Sequence, residues 1–440
     1  MMGTIRSLNP AVTLRHTHDT RFKTARLSLF TVMPAHAEKS PLTTLLFGIL
    51  RRGSDQYPRL ALINRRLDEL YGTTLTIRNY LHGDNHVVCY TAEMAEQAFL
   101  PPADAHTDIL GGVMEMLADM ILHPLTENGI LRAAAVEAEK VSLCDSLRSL
   151  RNDTRVYAGN RLREIMCEGE PYGLSIGGTV EQVMAITPEE VTNHHKALLS
   201  TTRMEVFYTG RASEETVAAA WEKAFGGWMP ALAVTPAITP HTPPASPRRV
   251  TEDMEVSQGK LCMAWSCGDN VTTLNQAPDR TAAYAVCNEL FGVMQNSLLF
   301  RHVREARGLC YFCDSALDMT KGILWVSCGI RSDKRAEAEE AITEQLGRIA
   351  RGEITPDEVE LAKLSLCNVY RQMRDSQSSL EVFALNRLLG GMDTTPEEEL
   401  SGIMAVTPAA VAKAAQSFVP DTVFFLNGVA EGDGEEDDDE

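Results

Sequence analysis

The chain has no run of about 18 apolar residues, so nothing in it is expected to span a membrane. Its opening lacks the basic, apolar and small-residue sections of a secretory signal. Basic residues are in deficit: 41 Lys and Arg against 60 Asp and Glu leave a net charge of −19. That balance argues against nucleic acid or an anionic membrane surface as partner. Paired metal-binding thiols are missing as well. The ten cysteines are scattered, and Cys310-Tyr-Phe-Cys313 is the only Cys-x-x-Cys. A four-thiolate zinc site would need a second pair. The segment is rich in strand formers, where residues three apart point to opposite faces. The thiols therefore read as core residues of a protein kept in a reducing, cytoplasmic compartment.

What is present is an internal repeat. Val183-Met-Ala-Ile-Thr-Pro-Glu-Glu-Val191 returns as Ile403-Met-Ala-Val-Thr-Pro-Ala-Ala-Val411, offset by 220 residues in a chain of 440. Each copy starts a helix at Thr-Pro and runs on to a strand ending in glycine, Val206 to Gly210 and Val423 to Gly428. Solenoid units repeat at roughly 20–50 residues, so this offset reads as two related domains. The expected layout is a first domain over 1–228, a proline-rich linker over 229–249, a second domain over 250–430 and an acidic tail over 431–440. Six prolines between Met229 and Arg249 favour an extended spacer. Eight acids among the last ten residues favour a solvated, disordered tail. Without the tail the charge stays near −11, which would weakly attract basic peptides.

The expected fold class is α+β. Each half reads as strand, helices, hairpin, helix block and strand, a mixed and mostly antiparallel sheet with helices on one face, the two halves closing as a clamshell. In the first half the strand is Leu27–Met33. A helix follows over Pro41–Arg52 with Ser40 as cap, then a helix over Arg59–Leu70 and a hairpin turning at Gly83-Asp84-Asn85. Helices are expected near Thr107–Leu122, Leu131–Leu150, Thr154–Cys167 and Glu214–Phe225. In the second half the strand is Lys260–Trp265 and the hairpin is Leu309–Ala316 with Ile323–Ile330. Helices are expected over Asp279–Leu290, Ser297–Arg304, Lys334–Arg351 and Thr355–Leu389. His16 and His18 read as a flexible leader, and His194-His195 as surface histidines. His82 and His86 have the i, i+4 spacing of metal ligands, but on a hairpin turn that spacing does not bring them together.

Three motifs carry a resemblance. They are Glu170-Pro-Tyr-Gly173 with Gly178-Thr179 and the Thr187-Pro188 helix, then Val303-Arg-Glu-Ala-Arg-Gly-Leu-Cys-Tyr311, and the shorter Arg51-Arg-Gly-Ser54. With the order of elements, they make the chain resemble the insulinase/pitrilysin family of zinc peptidases, the inverzincins, whose helix carries His-x-x-Glu-His. The resemblance covers nearly the whole chain. It implies that the two ligand histidines fall at Thr44 and Gly48, the general-base glutamate at Phe47, and the third ligand at Ser146, next to Asp145. Threonine, phenylalanine and glycine cannot make that site, since zinc needs imidazole, thiolate or carboxylate donors. Without a metal-polarised water there is no hydrolytic nucleophile.

The same resemblance implies that Arg304 and Tyr311 bind substrate carbonyls and stabilise the tetrahedral intermediate. Both side chains can donate toward a developing negative oxygen. Some bacterial members of the family work as unequal pairs, one subunit with the zinc helix and one with the arginine and tyrosine. This chain is similar to the second kind. The run Arg151-Asn-Asp153, Tyr157, Met166-Cys167, Glu170-Pro-Tyr-Gly173 is similar to a Gram-positive, zinc-less branch linked to aminopentanol modification of elongation factor P. The expectation is a non-catalytic subunit of a heterodimeric zinc metallopeptidase. It would have no cofactor of its own and would present Arg304 and Tyr311 in trans to an extended peptide, with zinc on the partner. The alternative is a peptide-binding or scaffold protein with no part in hydrolysis.

Overall fold

Two mixed sheets organise the computed structural model, which describes residues 3–230, 238–275, 277–392 and 394–429. The first sheet contains β1 (Thr4–Asn9), β2 (Val12–His18), β3 (Thr24–Pro34), β4 (Thr74–His82), β5 (Asn85–Ala95) and β6 (Arg203–Gly210). Their order is β1-β2-β6-β3-β5-β4. Only β2 and β6 are parallel neighbours. The second sheet contains β7 (Arg248–Glu255), β8 (Gly259–Ser266), β9 (Cys310–Asp318), β10 (Ile323–Ile330) and β11 (Val419–Val429), in the order β9-β10-β8-β11-β7. Only β11 and β7 run parallel. Read outward from its parallel pair, the first sheet is β2-β6-β3-β5-β4 and the second β7-β11-β8-β10-β9. The repeat in the sequence is thus a repeat of topology, and β1 alone lacks a counterpart.

Local chemistry explains the helix starts. Thr187 and Thr407 accept from the backbone N–H groups of Glu190 and Ala410, and each is followed by a proline at the first helical position. The Thr187 N–H in turn donates to the Glu190 carboxylate, a capping box that Ala410 cannot make. The same device starts the helices Pro356–Met373 and Pro396–Ala405.

The described residues divide into two units. The first holds residues 3–149, 170–230 and 377–382. In its core Leu27, Leu29, Val88, Tyr90 and Val206 of the sheet meet the helices Lys39–Leu50, Ile109–Leu122, Pro188–Thr201 and Glu214–Phe225. On the other face of β3, Arg26 and Ser28 are buried beside Phe30 and Val32. Arg26 there is held by Glu381, at 2.9 Å, and by Glu93. The second unit holds residues 150–169, 238–376 and 383–429. Leu261, Met263, Val326, Cys328 and Phe425 meet the helices Pro278–Asn288, Arg335–Ala350 and Pro408–Gln416 in its core. The helix Thr154–Met166 packs in this unit, through Arg155 to Asp314 and through Tyr157 and Arg161 to Glu252. Each unit therefore takes in a segment from the other half of the sequence. No helix of the described residues is long and apolar enough to cross a membrane.

Several expectations are corrected. His16 and His18 belong to β2, not to a leader; His16 is buried, bonded to the Ala212 carbonyl at 2.8 Å and stacked on Tyr208. Arg248 and Arg249, assigned to the linker, begin β7. The linker residues 231–237 and the acidic tail 431–440 lie outside the described residues. Ser40 does not cap the first helix; it lies inside Lys39–Leu50, and its hydroxyl accepts from the His36 N–H. The helix expected over Thr355–Leu389 is two, Pro356–Met373 and Gln377–Leu389.

Candidate functional site

The helix Lys39–Leu50 is where the resemblance places a zinc site. Its apolar stripe, Leu45, Leu46, Ile49 and Leu50, is buried in the core of the first unit. Thr44, at the first ligand position, donates its hydroxyl to the Ile176 carbonyl at 2.8 Å. Phe47, at the general-base position, is buried and meets Tyr90 edge-on, with ring centroids 5.7 Å apart. A side chain at Gly48, the second ligand position, would have to displace Glu139. A Cβ there would lie 2.1 Å from Oε1 of Glu139, on the helix Ala133–Ser149. That carboxylate is already neutralised by Arg52, whose Nε lies 2.6 Å from Oε2. Ser146 is exposed and donates to the Ser142 carbonyl of its own helix.

The donor set does not fit a catalytic zinc. One hydroxyl is already committed, one ring is apolar, and one backbone position is blocked by a carboxylate held by a guanidinium. Among the described residues, neither cluster of His, Cys, Asp and Glu side chains with metal-ligand proximity draws a residue from the helix Lys39–Leu50 or includes Glu139. Nor does either include His82 and His86, which sit at the end of β4 and the start of β5.

The loop that follows Glu170-Pro-Tyr-Gly173 packs against this helix through Ile176 and Gly178. Pro171–Gly173 forms a single 3₁₀ turn with Tyr172 buried. Gly178 has φ +70°, and a Cβ there would strike Pro41 at 2.7 Å. This close approach lets the loop carbonyl of Ile176 reach Thr44. Thr179 then caps the helix Val180–Ala185 with a capping box to Gln182.

The histidines near this helix are buried, contrary to expectation. His194 Nε2 meets the Thr43 hydroxyl at 2.8 Å, and His195 Nε2 meets the Ile121 carbonyl at 2.8 Å. Burial, with a smaller push from Lys39 and His195, brings His194 down to about 4. Burial and the nearby His194 bring His86 down to about 4 as well. These are neutral core histidines, not ligands.

In the second unit Arg304 lies on the π-helical turn Leu299–Glu305. Its guanidinium, 45 % exposed, reaches Glu305 at 3.5 Å and lies over the Phe300 ring. The Gly308 N–H returns to the Arg304 carbonyl, and Gly308 takes φ +60°, so the chain reverses there into β9. Tyr311 follows at 67 % exposure on β9, an edge strand of its sheet. Register explains the exposure. Cys310 pairs with Ile330 and Phe312 with Gly329, so one extra residue is inserted into β9, a β-bulge. Both side chains remain free of any buried structural role, and both are donors.

The bulge also overturns the reading of Cys310 and Cys313. With one residue inserted, positions three apart return to the same face. Cys313 pairs directly with Cys328 on β10, and the three sulfurs lie within 4.8 Å of one another. Hydrogen bonds from Cys313 and Cys328 hold the Cys310 thiol far below its ordinary range, and the other two are pushed up. The Cys-x-x-Cys spacing was visible in the sequence; the third thiol and the bulge were not.

Comparison with known proteins agrees with this geometry. Residues 185–366 match the model of the Peptidase M16 inactive domain. The chain is 26 % identical to "Probable inactive metalloprotease YmfF" of Bacillus subtilis over 409 residues, covering 93 % of this chain and 94 % of that protein. It is 25 % identical to "Uncharacterized zinc protease ML0855" of Mycobacterium leprae over 304 residues, 67 % of this chain and 65 % of that one. A solved conserved protein from Enterococcus faecalis V583 shares the fold, with a TM-score of 0.89, 24 % identity and coverage of 98 % of this chain and 100 % of that one. The chain is thus similar to M16-type peptidase proteins over residues 185–366 and in fold, while its helix Lys39–Leu50 lacks zinc donors at the positions the resemblance assigns.

Proposed function

We propose that the chain is the non-catalytic subunit of a heterodimeric zinc metallopeptidase. Zinc and the general base come from a homologous partner subunit, and this chain helps shape the chamber and supplies Arg304 and Tyr311 in trans. The observation that carries the reading is an asymmetry. The helix Lys39–Leu50 is filled and blocked where a metal would bind, while Arg304 and Tyr311 flank one tight turn with exposed donor groups. Tyr311 sits on an edge strand, where an extended peptide can add by backbone hydrogen bonds with little sequence preference. A guanidinium and a phenol beside that edge would donate to a carbonyl oxygen as it gains charge. Similarity to proteins named as zinc proteases supports the choice of a zinc-bearing homologue as partner.

The test is reconstitution with a homologue that carries His-x-x-Glu-His. Cleavage of an unstructured peptide should appear only in the mixture. Arg304→Ala and Tyr311→Phe should each lower it on the order of a hundredfold, the scale of losing one oxyanion donor. Full activity from both variants would rule out the in-trans role. Partner binding with no change in turnover would favour the scaffold alternative instead.

A further inference from the structure

The β9 bulge gathers three thiols for which the proposed function has no use. Cys310 and Cys313 are brought to one face by the inserted residue, and Cys328 stands directly opposite Cys313. All three are free cysteines in the second unit, with sulfurs mutually within 4.8 Å. Cys313 and Cys328 are buried and Cys310 is half-buried, so the cluster has two fixed donors inside and one at the edge of the sheet.

We propose that Cys310, Cys313 and Cys328 form a three-thiolate site for a thiophilic divalent cation such as zinc, with its fourth position open to water. Zinc takes thiolates at about 2.3 Å in tetrahedral geometry, which sets the sulfurs about 3.8 Å apart. The observed cluster needs to close by at most about 1 Å, which side-chain rotation supplies. Soft sulfur donors select zinc over the hard cations that prefer oxygen. As each sulfur–metal bond forms, that thiol releases its proton to solvent, so binding one dication to three thiols releases three protons and leaves a site of charge −1. The Arg304 guanidinium acts electrostatically on Cys310 and offsets that charge. The exposed edge at Cys310 provides the entry path and the open position.

The consequence is structural. A bound cation would tie the bulged edge strand β9 to its neighbour β10. The bulge is also what turns Tyr311 toward solvent, so the metal would fix the direction of a residue that the proposed function uses. The site stands or falls independently of that function, because its test needs neither a partner nor a peptide.

The experiment uses the full chain, reduced and freed of metal, titrated first with Co²⁺ and then with Zn²⁺. Thiolate-to-cobalt charge transfer should grow to one equivalent and collapse when zinc is added. Cys310→Ser, at a half-buried position that tolerates the change, should weaken binding on the order of a hundredfold or more, since even losses outside the ligand set cost 10–100-fold. Cys313→Ala should do the same, while Cys287→Ala, a buried thiol of the same core outside the cluster, should leave the titration unchanged. If no charge-transfer band forms, or if the band survives both Cys310→Ser and Cys313→Ala, the proposal is wrong. A disulfide between Cys313 and Cys328 in the purified chain under reducing conditions would also overturn it.

Discussion

Gly48→Ala measures how firmly the degenerate helix is closed to a side chain. In an open helix the change should stabilise by about 1 kcal/mol, because glycine is the poorer helix former. Here the new Cβ would fall 2.1 Å from Oε1, 2.4 Å from Cδ and 2.7 Å from Cγ of Glu139, whereas ordinary contact begins near 3.4 Å. The carboxylate would have to move by about 1 Å or more, and it is held at 2.6 Å by Arg52. Losing a charge-assisted hydrogen bond at a mostly buried carboxylate costs about 1.5–3 kcal/mol, and overpacking adds about 1–3 kcal/mol. Set against the helix gain of about 1 kcal/mol, the net expectation is destabilisation by about 1.5–5 kcal/mol. Urea unfolding followed by circular dichroism reads this as a lower midpoint for the first unit. In a Glu139→Ala background the clash is gone, so Gly48→Ala should then stabilise by about 1 kcal/mol. If Gly48→Ala stabilises the wild-type chain, the carboxylate moves freely and the helix has room for a ligand.

Glu381→Ala should cost roughly 3 kcal/mol, at the lower end for breaking a buried ion pair because Arg26 keeps Glu93, and urea midpoints check it. The histidines predict an acid-side loss of stability. Burial lowers His86 and His194 to about 4 from 6.5, so the native state keeps them neutral where the unfolded chain binds protons. Their contribution is complete above about pH 6.5 and is lost as pH falls toward 4, by roughly 3 kcal/mol each at most. Unfolding midpoints at pH 7.5 and 5 read the effect, and a flat profile would contradict it. Tyr311→Phe should change stability by less than about 0.5 kcal/mol, because the ring is 67 % exposed. A large shift in its melting temperature would mean that the tyrosine holds the fold rather than substrate.

The parts of the fold written in local chemistry were legible. Thr-Pro helix starts announce themselves because cap and first turn are contiguous, and their recurrence after 220 residues announced the duplicated topology. The strands β1 and β2 were missed because β2 draws its parallel partner, β6, from some 190 residues away, and His16 is made a core residue only by Tyr208 and Ala212. His194 and His195 lie on a helix whose polar positions turn inward, toward Thr43 and the Ile121 carbonyl, which no periodicity reveals. At the degenerate site, the unsuitable residue types at 44, 47 and 48 were plain, but the reason Gly48 is closed lies on a helix some 90 residues on. The thiol cluster was hidden by the assumption of a regular strand, since a single inserted residue reverses the parity on which the Cys-x-x-Cys argument rested.

Anomalous scattering at the zinc absorption edge, from crystals of the isolated chain soaked in zinc, tests the central claim most directly. No peak should appear within coordination distance, about 2.0–2.3 Å, of any donor on Lys39–Leu50 or of Glu139. A zinc ion bound there would contradict the account of a peptidase-like chain that has given up its own catalytic metal.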